Sequence, residues 1–293
     1  MERVLPDLAW SSYLRALRLK RRSAATVRDY DYTYRTLTGW LGKPAVEASR
    51  LEIEAWLEER LGQVSPTRVR QDQRNLSAFY RWAHREEIND GNPLERVPRI
   101  EVDEKPARVV DPADMKALLD ACRGGAFNDL RDTAILRTLR LIGTPRSGEL
   151  TTLTVQAVDL RNDLLTVSGK TGTRAIPLND TTATVFERYL RARAKHPSAA
   201  LDALWLGKKG QLTRTGIQMM LARRVRQAGI TDRIHMHLFR HDSATRAADA
   251  GLSAEALEFL YGWTPGSPMT RHYTRATRVQ RAQEAARRLN DRI

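Results

Sequence analysis

The chain has 293 residues, 41% hydrophobic and 29% charged, which suits a folded protein of about two domains and excludes a disordered one. Its formal net charge of +14 points to a polyanionic partner, because Lys and Arg displace the counterions condensed on nucleic acid. No stretch approaches the ~20 apolar residues of a membrane span, and no apolar segment follows the N-terminus, where Arg15, Arg18, Lys20, Arg21 and Arg22 come early, so a cytoplasmic protein without a membrane partner is expected.

In chain order, Val27, Tyr30, Tyr34, Leu37 and Leu41 share one face of a helix that Ser23 caps. A second helix covers 51–62 and ends near Gly62. A third runs from Thr67 to His84 behind Pro66, with an apolar stripe of Val69, Leu76, Phe79 and Ala83. Arg70, Arg74 and Arg81 project from another side of it. A helix with its side chains is about as wide as a major groove, so this one is a candidate for DNA contact. Residues 89–110 break the periodicity. Asn89-Asp90-Gly91-Asn92-Pro93, then Pro98 and Pro106, read as a turn and an extended linker.

Asp111 and Pro112 then open a helix on which Met115, Leu118, Leu119 and Cys122 recur at helical spacing. Cys122 is the chain's one cysteine, so no internal disulfide or multi-cysteine zinc site exists. A long helix from about Asn128 to Ile142 stops at Gly143. The β signal lies between Leu153 and Leu178, where Leu164–Val167, a turn at 169–172 and Arg174–Leu178 form a hairpin. Helices return at about 181–195, 214–228, 239–250, 254–261 and 276–290, the last striped with Val279, Ala282, Ala286 and Leu289. The expected fold is mainly α: a small helical domain over 1–95, a linker over 96–110, and a larger helical domain with a small β-sheet over 111–293.

Four local patterns carry candidate chemistry. Arg146 stands in a turn with Glu149 three residues on; a loop arginine can aim its planar fork at a phosphate while the carboxylate orients it. The alternative is a surface ion pair. Gly169-Lys170-Thr171 lacks the glycine a phosphate loop needs five positions earlier, where Leu164 stands, and it sits on a hairpin tip. Lys170 there is either a solvated turn residue or a proton donor. His237 and Arg240 share a face at a helix start, with His241 directed elsewhere as a structural group. His235, His237 and His241 do not line one face, so no metal site is expected. Trp263 and Tyr273 close the set, and alone would read as packing. Only eight of the 49 basic residues are Lys, so no single Arg is informative. Together, two arginines, a lysine, a histidine, an indole N–H and a phenol offer the fixed donors that metal-free phosphoryl transfer requires.

At these residues the sequence resembles the tyrosine recombinase, or phage integrase, family, over nearly the whole chain and with every station in order. The first-box arginine falls on Arg146, the hairpin lysine on Lys170, the His-x-x-Arg pair on His237 and Arg240, the His-or-Trp position on Trp263 and the nucleophile on Tyr273. Gly143-Thr144-Pro145 replaces the usual Thr-Gly-Leu, Trp263 replaces the commoner His, and Tyr273 lies one residue further from Trp263 than is usual. The resemblance implies a SAM-like core-binding domain before the linker, a catalytic domain after it, and no separate arm-binding domain. It implies that Tyr273 forms a 3′-phosphotyrosine, that Arg146 and Arg240 hold the non-bridging oxygens, and that Trp263 donates its indole N–H. His237 assists in proton traffic, Lys170 protonates the leaving 5′ oxygen, and Glu149 and His241 support the site. No ATP, metal or other cofactor enters. Ser23, Thr26, Arg70, Arg74, Arg81 and Arg174 are the expected DNA contacts. The expected partners are double-stranded DNA at core-type sites, three further copies in a tetramer docked through the 276–290 helix, and an excision factor or a host DNA-bending protein. A phage or prophage integrase is the expected activity. A chromosome-dimer resolvase, a mobile-element recombinase, a type IB topoisomerase-like enzyme and an inert DNA-binding regulator are the alternatives.

Overall fold

The computed structural model describes residues 6–102, 109–273, 283 and 287. The chain divides into two compact units, 1–105 and 106–293. The elements are mostly helices with two small sheets, which is the expected class.

The first unit holds α1 (Pro6–Leu19), α2 (Ala24–Leu41), a 3-10 turn (Ala45–Glu47), α3 (Arg50–Gln63) and α4 (Pro66–Arg85). Serines start three of the helices. Ser23 Oγ accepts from the Thr26 amide at 3.2 Å, Ser49 and Glu52 form a reciprocal box, and Ser65 precedes Pro66. Helix α1 was not expected from the sequence, since no capping residue precedes Pro6. It forms because Trp10, Tyr13 and Leu17, at i, i+3 and i+7, find α2 and α4 to bury against. The Trp10 ring stacks on Tyr34 with centroids 3.9 Å apart, and Tyr13 meets Phe79 at 5.4 Å.

Helix α4 buries Val69, Leu76, Phe79 and Ala83, as its stripe predicts, but also Asp72. That carboxylate would be costly in a core unless paired. Thr33 Oγ1 donates to it at 2.7 Å, Arg60 lies 3.3 Å away, and Arg68 bridges it to Asp29. Gln73, also buried on α4, holds the segment that follows the helices. Its amide donates to the Pro98 carbonyl at 2.7 Å and its carbonyl accepts from the Ile100 amide at 3.0 Å. Residues 98–100, expected as linker, are therefore strapped to the first unit.

The second unit starts with α5 (Pro112–Asp120), whose cap Asp111 accepts from the Ala113 amide at 2.7 Å. It continues through α6 (Phe127–Arg140), α7 (Ser147–Thr151), β1 (Val158–Asp159), β2 (Leu164–Gly169), β3 (Gly172–Pro177) and α8 (Asp180–Arg193). Then come β4 (Leu206–Gly207), β5 (Gly210–Gln211), α9 (Arg214–Gln227), α10 (Met236–Asp249), α11 (Ala254–Tyr261) and helical turns at 268–273. Strands β1, β2 and β3 form an antiparallel sheet in that order. The register from Leu164↔Pro177 to Gly169↔Gly172 leaves Lys170 and Thr171 as a two-residue tip. Leu136, Leu165, Val167, Phe186, Trp205 and Phe239 are in the main core, and Cys122 joins it. A smaller core of Ala244, Ala247, Leu257, Tyr261 and Tyr273 joins α10, α11 and 268–273.

Three boundaries differ from expectation. Helix α6 ends at Arg140, not at Gly143, because Leu141 turns extended and the Thr144 amide closes back on its carbonyl. Helix α10 starts three residues early because His235 Nδ1 caps it, accepting from the Leu238 amide at 3.1 Å. Strand β1 and the β4–β5 pair are two residues long each, too short for a period-2 signal. The expected 276–290 helix lies outside the described residues except at 283 and 287, which are helical and exposed.

Candidate active site

The turn before α7 organises the first half of the site. Arg146 caps that helix, and its backbone N–H donates to Glu149 Oε2 at 2.8 Å. Its guanidinium donates to Glu149 Oε1 at 2.8 Å and to the Gly262 carbonyl at 2.7 Å. Glu149 also accepts from Arg174 on β3 at 2.8 Å, so one carboxylate joins α7 to the hairpin. Burial pushes the Glu149 carboxyl up, but the Arg174 bonds and the Arg146 backbone outweigh it and hold it at about 2.

Arg174 itself is 5% exposed. Its Nε donates to the Leu260 carbonyl at 2.7 Å and its remaining donors face Glu149. Arg174 was expected as a DNA contact; in the structure the inward-facing register of β3 turns its guanidinium onto Glu149 and the Leu260 carbonyl.

Arg240, on the first turns of α10, is buried and donates to the Thr144 and Tyr261 carbonyls. Its guanidinium lies 5.1 Å from the Tyr261 ring and 6.0 Å from the Trp263 ring. Burial first, then Arg146 and Arg174, pull it down to about 10, so it stays a cation at neutral pH.

The second half follows α11. Gly262 ends that helix in the left-handed region (φ +57°), and a Cβ there would stand 3.0 Å from Thr171 Oγ1, 3.1 Å from Arg174 Nη1 and 3.3 Å from Arg146 Nη1. Its carbonyl accepts from both Arg146 and Thr171, the latter at 2.8 Å. The hairpin tip is therefore docked beside Arg146, with the Lys170 side chain exposed. Gly262 and Thr171 were not among the expected site residues. A glycine after a helix signals a cap, and nothing local says what its carbonyl meets.

Trp263 follows, and the Tyr273 ring lies parallel to it, centroids 5.5 Å apart with 1° between planes. Between them, Glu258 accepts from the Gly266 amide at 2.8 Å and from Thr270 Oγ1 at 3.0 Å, which fixes the loop carrying the extra residue. Tyr273 is 7% exposed. Burial raises its phenol well above the usual range, and Arg240 opposes that. Its hydroxyl meets His241 Nδ1, and His241 Nε2 lies 2.9 Å from His237 Nε2. The expectation that His241 points elsewhere is corrected: positions i and i+4 stack on one helix face, and the two rings are 4.4 Å apart.

Of the expected DNA contacts in the first unit, Arg74 and Arg81 are exposed and Arg70 is half-buried. Arg70 Nε is buried without a hydrogen-bond partner among the described residues. Ser23 and Thr26 pair their hydroxyls at 2.9 Å at the start of α2. No group of three or more His, Cys, Asp or Glu among the described residues could hold a metal ion. No described helix is long and apolar enough to cross a membrane.

The phage integrase family model matches residues 108–279. The tyrosine recombinase XerC of Pelotomaculum thermopropionicum is 31% identical over 208 residues, 68% of this chain and 67% of that one. Two further XerC relatives, from Roseiflexus, are spanned over 62 and 63% of their lengths. The tyrosine recombinase XerD of Pseudomonas putida is 29% identical over 92% of this chain and 93% of its own. Among solved structures, the Tn1549 transposon integrase in complex with transposon right end DNA aligns with a TM-score of 0.75 at 21% identity, over 93% of this chain and 98% of that one.

Proposed function

The chain belongs to the phage integrase family of tyrosine recombinases, DNA strand transferases, and on that premise we propose that it performs site-specific recombination through a 3′-phosphotyrosine at Tyr273. The Tyr273 oxygen attacks the scissile phosphorus, and the 5′ oxygen leaves with a proton from Lys170. Arg146 and Arg240 hold the non-bridging oxygens, assisted by the indole N–H of Trp263 and by His237. A 5′-hydroxyl of the partner duplex then reverses the step. The ester retains the bond energy, so no nucleotide is consumed. The arrangement that supports this is one continuous scaffold: Arg146 on the Gly262 carbonyl, Trp263 next in sequence under Arg240, and the phenol stacked on Trp263. Its donors are held in place before any charge develops, which is how a water-poor site stabilises a transition state.

Tyr273→Phe removes only the attacking oxygen. It is expected to abolish covalent protein–DNA adducts on a nicked suicide duplex while leaving binding within about twofold. Persistent adducts in that variant exclude Tyr273 as nucleophile.

The biological setting we propose is phage or prophage integration, acting as a DNA-bound tetramer on core-type sites, with an excision factor or host DNA-bending protein. The Trp263 departure supports integration, since the dimer resolvases normally carry His there. Chromosome-dimer resolution is the second reading, favoured by the XerD relative matched over nearly its whole length. A two-plasmid assay separates them: recombination between unlike attachment sites supports the first, and between identical chromosomal sites the second.

A further inference from the structure

Tyr273 lies in a chain of three hydrogen-bonding side chains that the roles above leave partly unused. The hydroxyl contacts His241 Nδ1, and His241 Nε2 sits 2.9 Å from His237 Nε2. A nucleophile, a base in reach of it and a third group orienting the base are the recurring parts of an activated nucleophile. We propose that His241 is the base that takes the phenolic proton of Tyr273 and relays it to His237. This rests on the reading of Tyr273 as nucleophile.

The Tyr273 oxygen–phosphorus bond forms as the bond from phosphorus to the 5′ oxygen breaks. The phenolic proton passes to His241 Nδ1, and the proton on His241 Nε2 passes to His237 Nε2. The 5′ oxygen leaves with its own proton from the hairpin lysine. Religation runs the same transfers backwards and returns the proton to the phenol.

One observation places His241 for this, and a second keeps it unprotonated until attack. The phenol meets Nδ1, so in the tautomer that carries its proton on Nε2 the acceptor nitrogen faces the nucleophile. The imidazole is also kept neutral: burial, then His237, His272, His235 and Arg240, the groups facing it from α10 and from 268–273, bring it down to about 4. A neutral ring leaves a nitrogen open as an acceptor throughout the neutral range, but the low imidazole and the raised phenol both oppose transfer before attack, so the proton moves only as the oxygen–phosphorus bond forms and acidifies the phenolic oxygen. His237 is lowered too, by burial, His235 and Arg240, which leaves it free to receive the relayed proton.

The test uses the full chain and a suicide duplex carrying the site mapped by sequencing the covalent adducts that the wild-type protein makes on genomic DNA. His241→Gln keeps a hydrogen-bond acceptor beside Tyr273 and removes the base. It is expected to lower the single-turnover cleavage rate by about 10²–10⁴-fold and to abolish the acid limb of its pH profile, which His241 places near pH 4. Replacing the bridging 5′ oxygen by sulfur makes the leaving group independent of a proton donor. That substitution should restore Lys170→Ala and leave His241→Gln slow. Cleavage by His241→Gln within threefold of wild type, or its restoration by sulfur, overturns the proposal. The unaltered protein gives a second reading that does not depend on folding of a variant. Nitrogen-15 spectra of its histidines should show His241 protonated at Nε2 and bare at Nδ1 at neutral pH, and a proton on Nδ1 overturns the relay. Adducts formed by Tyr273→Phe would instead sink the nucleophile assignment itself.

Discussion

Gly262 is a single residue on which three parts of the site converge. Its left-handed φ of +57° costs an L-residue about 1–2 kcal/mol, and its missing Cβ leaves room for Thr171, Arg174 and Arg146. Gly262→Ala is therefore expected to lower stability by about that amount and cleavage by more than tenfold, with DNA binding little changed. Gly262→Asn tolerates the backbone better yet introduces the same Cβ. It should recover much of the stability and none of the activity, measured by thermal unfolding beside single-turnover cleavage. Equal recovery of both would mean that only the backbone matters. At this scale the sequence speaks through residue type: Arg146, Lys170, His237, Arg240, Trp263 and Tyr273 are singled out as the donors and nucleophile that the proposed phosphoryl transfer would use. It is opaque where the answer is a contact between distant segments. Arg174 and His241 look like a surface cation and a structural histidine until β3 and the turns at 268–273 are brought to Glu149 and to α10.

Between elements, the joint that matters is Glu149, which ties α7 to the β2–β3 hairpin through Arg174. Both partners are buried, with side chains 4% and 5% exposed. Breaking such a pair from one side leaves an uncompensated charge, at about 3–5 kcal/mol. Glu149→Gln is expected to cost stability in that range at neutral pH. The pH dependence follows from the direction of the shift. The folded carboxyl titrates at about 2, against an ordinary 4.5. Its contribution is thus fully present above about pH 4.5 and is lost as pH falls towards 2. The gap between wild type and Glu149→Gln, read by denaturant unfolding, should narrow across that window and stay constant above it. A constant gap down to pH 2 would show that the carboxyl is not held low. The long amphipathic helices α2 and α4 were readable because their apolar spacing is local. Helix α1 was not, since its reason for being helical is the aromatic cluster it meets on α2 and α4. The early start of α10 was hidden because His235, not one of the usual capping residues, closes it.

For the molecule as a whole, prolines and polar turn residues mark 96–110 as the expected linker, and within it Gln73 draws 98–100 onto the first unit. The charge was less legible. The +14 excess does not all face solvent: Arg60, Arg131, Arg174, Arg193, Arg224 and Arg240 are each at most 6% exposed. Several serve buried acids, as where Asp132 accepts from Arg131, Arg223 and Arg224. Counting arginines therefore overstates the surface available to a polyanion, and burial separates two classes of substitution. Arg74 and Arg81 are exposed on α4. If they meet phosphates, Arg74→Ala and Arg81→Ala should each reduce the slope of log affinity against log salt by about 0.9, with the fold unperturbed. The loss should be the same on unrelated duplexes, because phosphate contacts carry no sequence information. Arg131→Ala should leave the slope alone and lower stability, since its cation is spent on Asp132 and the Leu206 carbonyl. Titrations between 50 and 200 mM salt decide it. Unchanged slopes at both exposed positions would take α4 off the DNA, and a loss confined to one duplex sequence would move these arginines from the phosphates to the base edges.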